Sequence, residues 1–242
     1  MLSFLTTMTI DQALRKRLIF TADDYGIRNT AEPILALAKA GKLDRVAVMT
    51  KYVSKEAALA LVETGVKIDI HLELIALMGR GEELESGVFH RGGAFLQSWF
   101  SGSLTRQSVE EEWRSQIERF KELFGRLPDG LNSHEHVHFF PFFFQVFQQL
   151  AVEYRIFIVR YGTRGILWRE SFSLIGWILS LLRCITHRAT NKNVLMSSNW
   201  LIGLDWLSHH EKLIDHLPES GTVEIVVHPE RPEERAFIEQ YC

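Results

Sequence analysis

The stretch that most constrains the fold is residues 18–26, where an apolar run leads directly into two adjacent carboxylates, Asp23 and Asp24. The sequence Leu-Ile-Phe-Thr-Ala predicts a buried β-strand, which places both charges at its carboxyl end. Neighbouring carboxylates repel each other, and burying either is costly unless a cation shares the site or the two differ in protonation. We therefore interpret the pair as the anchor of a functional site, with the capping of a following turn as the plainer alternative.

The composition is that of a globular protein. The 242 residues are 46% hydrophobic and 24% charged, enough to bury the core of one barrel-sized domain or two small ones. No repeat or linker divides the chain, so a single domain over residues 1–242 is predicted. A formal net charge of −3 without a long basic run argues against a nucleic-acid partner. Cys184 and Cys242 are too few for a disulfide scaffold and favour a reducing compartment.

The amino terminus and the most apolar segment give the expectations for cellular location and membrane contact. Residues 1–17 have neither a cationic start nor a small-residue cleavage pattern, so no signal peptide is predicted and the cytoplasm is the simplest location. No apolar run reaches the roughly 18 residues that span a bilayer. The nearest run, from Phe172 to Leu182, is interpreted first as a core helix and second as a contact with a membrane surface.

Strand and helix signals alternate along the rest of the chain. Further strands are predicted at residues 45–49, 66–74, 156–160, 193–198 and 222–228. Helices are predicted from a capping box at Asn29 and Glu32, from an N-cap at Ser54, and at residues 108–124, 141–154 and 206–217. This alternation predicts an α/β fold with a parallel sheet, and its length suits a β/α barrel. The glycine-rich residues 75–106 are interpreted as a substrate-facing loop.

Histidines fall at or near the ends of the predicted strands, the face where β/α barrels place their chemistry. They are His71, His134 and His228. We expect them to lie close to the aspartate pair. A single histidine in a strand, such as His71, is however more often a core residue with its hydrogen bonds made inside the protein than a ligand. His134, His136 and His138 recur with period two, so in a strand they would share one face, a pattern typical of a metal or catalytic site.

Taken together, the motifs resemble those of one family. They are Thr-Ala-Asp-Asp-Tyr-Gly from Thr21, His-Leu-Glu-Leu from His71, Ser-His-Glu-His-Val-His from Ser133 between Pro128 and Pro141, and Val-His-Pro from Val227. In order and spacing they are similar to the YdjC-like carbohydrate deacetylases, which include chitooligosaccharide deacetylase and a hopanoid-biosynthesis branch. The resemblance covers most of residues 18–229 and is weakest over 160–217. It implies a distorted β/α (TIM-like) barrel and a hydrolase that removes the acetyl group from an N-acetylated sugar or oligosaccharide.

The resemblance also implies a role for each candidate residue. Asp24, His71 and His134 would be the metal ligands, Asp23 the general base and His228 a candidate general acid. The implied ion is divalent and usually Mg²⁺, while imidazole-rich ligation also suits Zn²⁺. Two imidazoles and one carboxylate would leave coordination positions open for water and a substrate carbonyl oxygen.

Two departures from the family pattern stand out. Many relatives have an aspartate at the position of Asn132, which bears on how a neighbouring ligand is oriented. Relatives usually continue with a further helix and strand where this chain ends at Cys242, so the domain is expected to lack them. The alternatives are a deacetylase of a lipid-linked or hopanoid-like glycoconjugate and a catalytically silent carbohydrate-binding protein. The sequence leaves the exact sugar and the oligomeric state open, a homo-oligomer included.

Overall fold

The structure, a computed structural model, describes residues 12–78, 102, 104–167, 174–186, 194–207 and 209–242. At its centre is a sheet of seven strands in the order β4-β3-β2-β1-β7-β6-β5, and every pairing in it is parallel. The strands are β1 (Leu18–Tyr25), β2 (Arg45–Val48), β3 (Lys67–Leu72), β4 (Leu131–Ser133), β5 (Gly165–Ile166), β6 (Trp200–Gly203) and β7 (Val223–Val227). The predicted α/β class with a parallel sheet is therefore confirmed.

Helices alternate with the strands along the chain. They are α1 (Gln12–Arg15), α2 (Ala31–Lys39), α3 (Lys55–Val62), α4 (Arg106–Phe124), α5 (Pro141–Glu153), α6 (Leu174–Thr186) and α7 (Pro232–Tyr241). Short 3₁₀ segments lie at His134–Phe139, Leu204–Trp206, His210–Lys212 and Ile214–His216. Within the described ranges, no helix is long and apolar enough to cross a membrane.

The two edges of the sheet approach each other. Single-residue parallel bridges pair Leu131 with Val159 and Ile158 with Met196. Backbone hydrogen bonds support them, since the N–H of Leu131 donates to Ile158 O at 2.9 Å and that of Val159 donates to Met196 O at 2.8 Å. The sheet is therefore curled. The strands seen are seven rather than the eight of a TIM barrel, so a complete barrel stays a prediction.

Strand β3 is buried along almost its whole length, although it carries polar residues. Parallel sheets are covered on both faces, and their strands are accordingly apolar throughout or carry polar groups that find partners inside. In β3 only Lys67 is exposed, and the polar Asp69 and His71 are both buried. Both faces of this strand are therefore interior from Ile68 onward, and His71 points into the molecule rather than to solvent.

The boundaries of several predicted elements agree with the structure to within about two residues. The capping residues of the helices explain this agreement. The Ser54 side chain accepts the backbone N–H of Ala57 and starts α3. Thr105 and Ser108 form a capping box at the start of α4, which ends at Gly125 with a left-handed φ of 66°.

Other predictions were wrong. The capping box at Asn29 and Glu32 does not form, because the N-cap of α2 is Thr30, whose hydroxyl donates to the backbone oxygens of Asp24 and Ile27 instead. The predicted helix over 206–217 is replaced by separate 3₁₀ turns. Its middle, around His209 and His210, offers no apolar residue that could hold a helix against the sheet.

Over the described part of the strand predicted at 193–198, residues 194–198, Met196 forms a single bridge and no regular strand is seen; β6 begins at Trp200 instead. The strand predicted at 156–160 contributes only single bridges, from Val159 to Leu131 of β4 and from Ile158 to Met196. Most of the interpreted loop over 75–106 lies outside the described residues.

Candidate metal centre

Both aspartates reach one site because β1 departs from a regular strand at its carboxyl end. In a regular strand, adjacent side chains point to opposite faces. Here the pairing of β1 with β2 shifts register between Ala22 and Tyr25, and Asp24 adopts a φ of 66° in the left-handed region. An irregularity of this kind re-aims a side chain and is strained for a residue other than glycine.

Asp24, His71 and His134 form the core of the site, which we call the metal cluster. One oxygen of Asp24, Oδ1, lies 3.2 Å from Nε2 of His71 and 2.8 Å from Nδ1 of His134. The two imidazole rings meet edge to face with their centroids 5.5 Å apart. Among the described residues, this is the group of three side chains whose ligand atoms lie close enough together to hold a metal ion.

The donor set fits a divalent ion. Separations near 3 Å are those of neighbouring ligands around an ion with bonds of about 2.0–2.2 Å. Burial alone would raise the pKa of Asp24, but the two histidines outweigh it and hold that pKa well below its usual range. The Nε2 atom of His134 is buried and has no hydrogen-bond partner in the described part of the chain. This nitrogen is not the one that faces Asp24, since Nδ1 makes that contact. An ionised carboxylate together with two imidazoles is a donor set that divalent ions bind.

Asp23 is held by a buried arginine. Its two carboxylate oxygens accept hydrogen bonds from Nη1 and Nη2 of Arg160 at 2.6 and 2.8 Å, and Nε of the same guanidinium donates to Glu224 at 2.8 Å. Burial would raise the pKa of Asp23, but the Arg160 charge, with a smaller contribution from His71, lowers it to about 2. Oδ2 of Asp23 also lies 3.7 Å from His71, so this fully ionised carboxylate borders the metal cluster.

The Asn132 side chain lies against the other nitrogen of His71, Nδ1, at 2.5 Å. Its amide also faces Ile70 O and the Arg160 guanidinium. The ring of a ligating histidine is normally oriented by the group that its second nitrogen contacts. Asn132 therefore orients His71.

The histidine triple does not share one face, because the backbone leaves the strand at Ser133. Residues His134–Phe139 form a 3₁₀ segment in which Glu135 and His136 both have left-handed φ values, of 52° and 50°. His136 packs edge-on against Trp206 with centroids 4.9 Å apart. Burial and the nearby Arg160 charge hold the pKa of His136 well below its usual range.

His138 is a core residue. Its Nδ1 lies 2.6 Å from the Ser133 hydroxyl, and its Nε2 lies 2.8 Å from the backbone oxygen of Arg160. Burial lowers its pKa to about 3, so it is neutral at physiological pH. Of the three histidines, His134 is the one that joins the metal cluster.

His228 lies directly after β7, and a buried glutamate contacts it. The backbone N–H of His228 donates to Oε2 of Glu234 at 2.7 Å, and its Nδ1 lies 3.4 Å from the same oxygen. Burial on its own would lower the pKa of His228, but Glu234, Asp205 and Asp24 outweigh it and raise that pKa to about 10. The imidazole is thus cationic at neutral pH.

Sequence reasoning missed three buried charged residues around the site. They are Arg160, Glu224 and Glu234. The available signal was a charge inside an apolar pattern, as in Val-Glu-Ile-Val-Val of β7, because an ionised group in a buried strand needs a partner.

The geometry defines the class of protein as a parallel α/β protein with a candidate divalent-metal centre at the carboxyl ends of its strands. The family model described as YdjC-like protein matches residues 17–241. The chain therefore belongs to the YdjC-like family, which confirms the resemblance carried by its motifs.

Relatives with named activities match part of the chain. The carbohydrate deacetylase of Danio rerio is 30% identical over 153 residues, which are 60% of this chain and 49% of that protein. The chitooligosaccharide deacetylase of Escherichia fergusonii is 27% identical over 146 residues, 58% of this chain and 57% of that protein. The chain spans about half the length of the curated relatives it matches.

A solved structure shares the fold. The Enterococcus faecalis protein described as a cellobiose-phosphate cleavage protein superposes with a TM-score of 0.56 at 18% identity, covering 87% of this chain and 80% of that one. At this identity the likeness concerns the fold alone.

Proposed function

We propose that this chain is a metal-dependent hydrolase that removes the acetyl group from an N-acetylated sugar or oligosaccharide. The observation that carries the proposal is the metal cluster of Asp24, His71 and His134 beside an ionised Asp23. The names of the deacetylase relatives support the substrate class. Asp23 is assigned as general base and His228 as general acid.

The reaction consumes one water, breaks the amide C–N bond and yields acetate and a free amino sugar. A divalent ion, Mg²⁺ or Zn²⁺, held by the metal cluster would act as a Lewis acid toward the acetyl carbonyl and would make water more acidic. Asp23, kept ionised by Arg160, takes the proton of the attacking water. His228, kept protonated by its carboxylate neighbours, gives a proton to the leaving nitrogen.

Acetate release from a panel of N-acetylated sugars and oligosaccharides tests this function, with Asp23→Asn as the decisive variant. We expect the variant to lose about 10²–10⁴-fold in turnover, because an amide cannot accept the proton. We also expect it to retain its divalent ion, because Asp23 is not in the metal cluster. Asp215→Asn, the same change at an exposed position, is the control and should match the unaltered protein.

The outcome separates the enzyme from a catalytically silent carbohydrate-binding protein. A binding protein would hold sugars equally well with and without Asp23→Asn and would release no acetate in either form. An unaltered protein that carries its ion, binds these sugars and releases no acetate would therefore contradict the proposed hydrolase.

A second candidate substrate is a lipid-linked glycoconjugate, and an exposed apolar stripe on α6 favours it. The stripe consists of Leu174, Trp177, Ile178, Leu181 and Ile185, each at least 41% exposed. These positions recur at helical spacing, so they lie on one side of the helix. The first interpretation of this run, as a core helix, therefore holds for only one face of α6. Contiguous exposed apolar surface of this kind marks interaction sites, membrane surfaces among them.

Liposome co-sedimentation tests the stripe. We expect the double variant Trp177→Lys/Leu181→Lys to reduce co-sedimentation at least about tenfold, because each buried side chain of this size contributes about 1.5–3 kcal/mol. The matched control is Leu59→Lys/Val62→Lys, which charges two exposed apolar residues on α3. Co-sedimentation that is absent, or equal in both variants, would count against a lipid-linked substrate.

A further inference from the structure

Glu234 is a buried carboxylate that none of the sequence motifs contains. It lies in the first turn of α7 and is 2% exposed. Its Oε2 accepts the backbone N–H of His228 at 2.7 Å and lies 3.4 Å from the Nδ1 atom of that residue. Its Oε1 accepts a hydrogen bond from Nη1 of Arg231 at 2.8 Å. Both oxygens therefore have partners, and one of them faces the imidazole.

A purely structural role would explain only part of this arrangement. A glutamate at the third position of a helix ordinarily bonds back to the N-cap residue or interacts with the helix dipole. Glu234 instead reaches beyond the N-cap, Arg231, to His228 at the end of β7. Burying a carboxylate is costly, and the cost is offset here by two cationic groups, one of which is the candidate acid.

We propose that Glu234 is the positioning residue for His228. It accepts the Nδ1–H of the imidazole, so that the opposite nitrogen, Nε2, carries the proton that is transferred. This inference rests on the proposed role of His228 as general acid. The 3.4 Å separation is longer than a good hydrogen bond, and contacts of this type tighten when substrate is bound.

The other charged groups around His228 make Glu234 the dominant partner. Asp205 comes from the turn after β6, Asp23 and Asp24 from β1, His134 from the segment after β4, and Glu230 from the residues next to His228. Asp23 is paired with Arg160, at 2.6 Å. Asp205 is itself paired with Arg231, at 3.4 Å. A divalent ion in the metal cluster would offset the charge of Asp24. Glu234 is then the carboxylate that contacts His228 and keeps its imidazole protonated.

The test compares Glu234→Gln and Glu234→Asp with the control Glu239→Gln, an exposed glutamate on the same helix. Nitrogen NMR of the histidine side chains reports the tautomer and charge of His228 without any need for turnover. We expect Glu234→Gln to lower the pH at which His228 loses its proton by at least about one unit and to reduce kcat about 10²-fold, with KM and metal content unchanged. Glu234→Asp should restore part of both effects.

An unchanged His228 titration in folded Glu234→Gln would overturn the inference. If that variant does not fold, the unaltered protein decides, because a Glu234 that accepts the Nδ1–H keeps the proton on Nδ1 when the His228 ring becomes neutral; a neutral ring protonated on Nε2 would overturn the inference. Failure of the proposed function looks different. In that case no acetate is released by any form, yet the NMR signals of His228 still respond to Glu234→Gln and the positioning role stands.

Discussion

Asp24→Asn is expected to bind no divalent ion, whereas the unaltered chain is expected to bind one per chain. Asp24 supplies the one carboxylate of the metal cluster, and its Oδ1 is the atom that both histidines approach. An amide is uncharged, and its oxygen is a much weaker ligand for a hard divalent cation than a carboxylate oxygen. We also expect acetate release to fall at least about 10³-fold, because the Lewis acid contributes several kcal/mol to the reaction. Elemental analysis after dialysis and an acetate assay measure the two effects.

Comparing three variants separates the loss of the metal ion from the loss of turnover. Asp23→Asn should keep the ion and lose turnover, while Asp24→Asn should lose both. The exposed control Asp215→Asn should keep both. An unaltered protein without an ion, and with none taken up from Mg²⁺, Mn²⁺ or Zn²⁺ solutions, would rule out the metal-dependent mechanism and make a carbohydrate-binding protein the better explanation.

Arg160→Met is expected to reduce the free energy of unfolding by about 3–5 kcal/mol at neutral pH. The side chain is buried and neutralises two buried carboxylates, Asp23 and Glu224, which the substitution would leave without a cation. The effect should depend on pH. Because the folded-state pKa of Asp23 is lowered from 3.8 to about 2, its stabilisation is complete above pH 3.8 and is lost as the pH falls toward 2. Urea unfolding at several pH values measures this difference.

The chain offers a matched control in Arg114→Met. Arg114 also binds two carboxylates, Glu110 and Glu153, but on the surface of the molecule. Exposed ion pairs contribute only about 0–1 kcal/mol each, so this substitution should change stability little. A loss in Arg160→Met no greater than that in Arg114→Met would show that the buried network does not stabilise the fold as proposed.

The parts of the site that the sequence predicts are those that depend on local pattern. The apolar runs before Asp23 and His228 mark strands, and parallel strands bring their carboxyl ends to one edge of a sheet. The period-two argument for His134, His136 and His138 failed because it assumed that the strand continues. In the structure the strand ends at Ser133, and two left-handed residues redirect the chain.

The residues that sequence reasoning missed belong to no sequence motif. They are the ion-pair partners of residues far away in the chain. Arg160 is 137 positions from Asp23 and 64 from Glu224. Ion pairs of this kind depend on which strand ends lie next to each other in the folded protein. The periodicity of a single sequence does not indicate that arrangement. The exposed surface of α6 was only the second interpretation of its apolar run for a related reason, since the sequence of an apolar helix does not indicate which of its faces the rest of the molecule leaves uncovered.

The irregular end of β1 also affects which parts of this protein can vary during evolution. Asp23 and Asp24 are joined by one peptide bond in the central strand of the sheet, so covalent geometry fixes the distance between their Cα atoms, and the irregular end of the strand turns both carboxylates to one site. Movement or replacement of a peripheral loop does not alter that distance. In the proposed hydrolase, segments that contact the sugar can therefore diversify and alter selectivity while Asp23 and Asp24 keep their spacing.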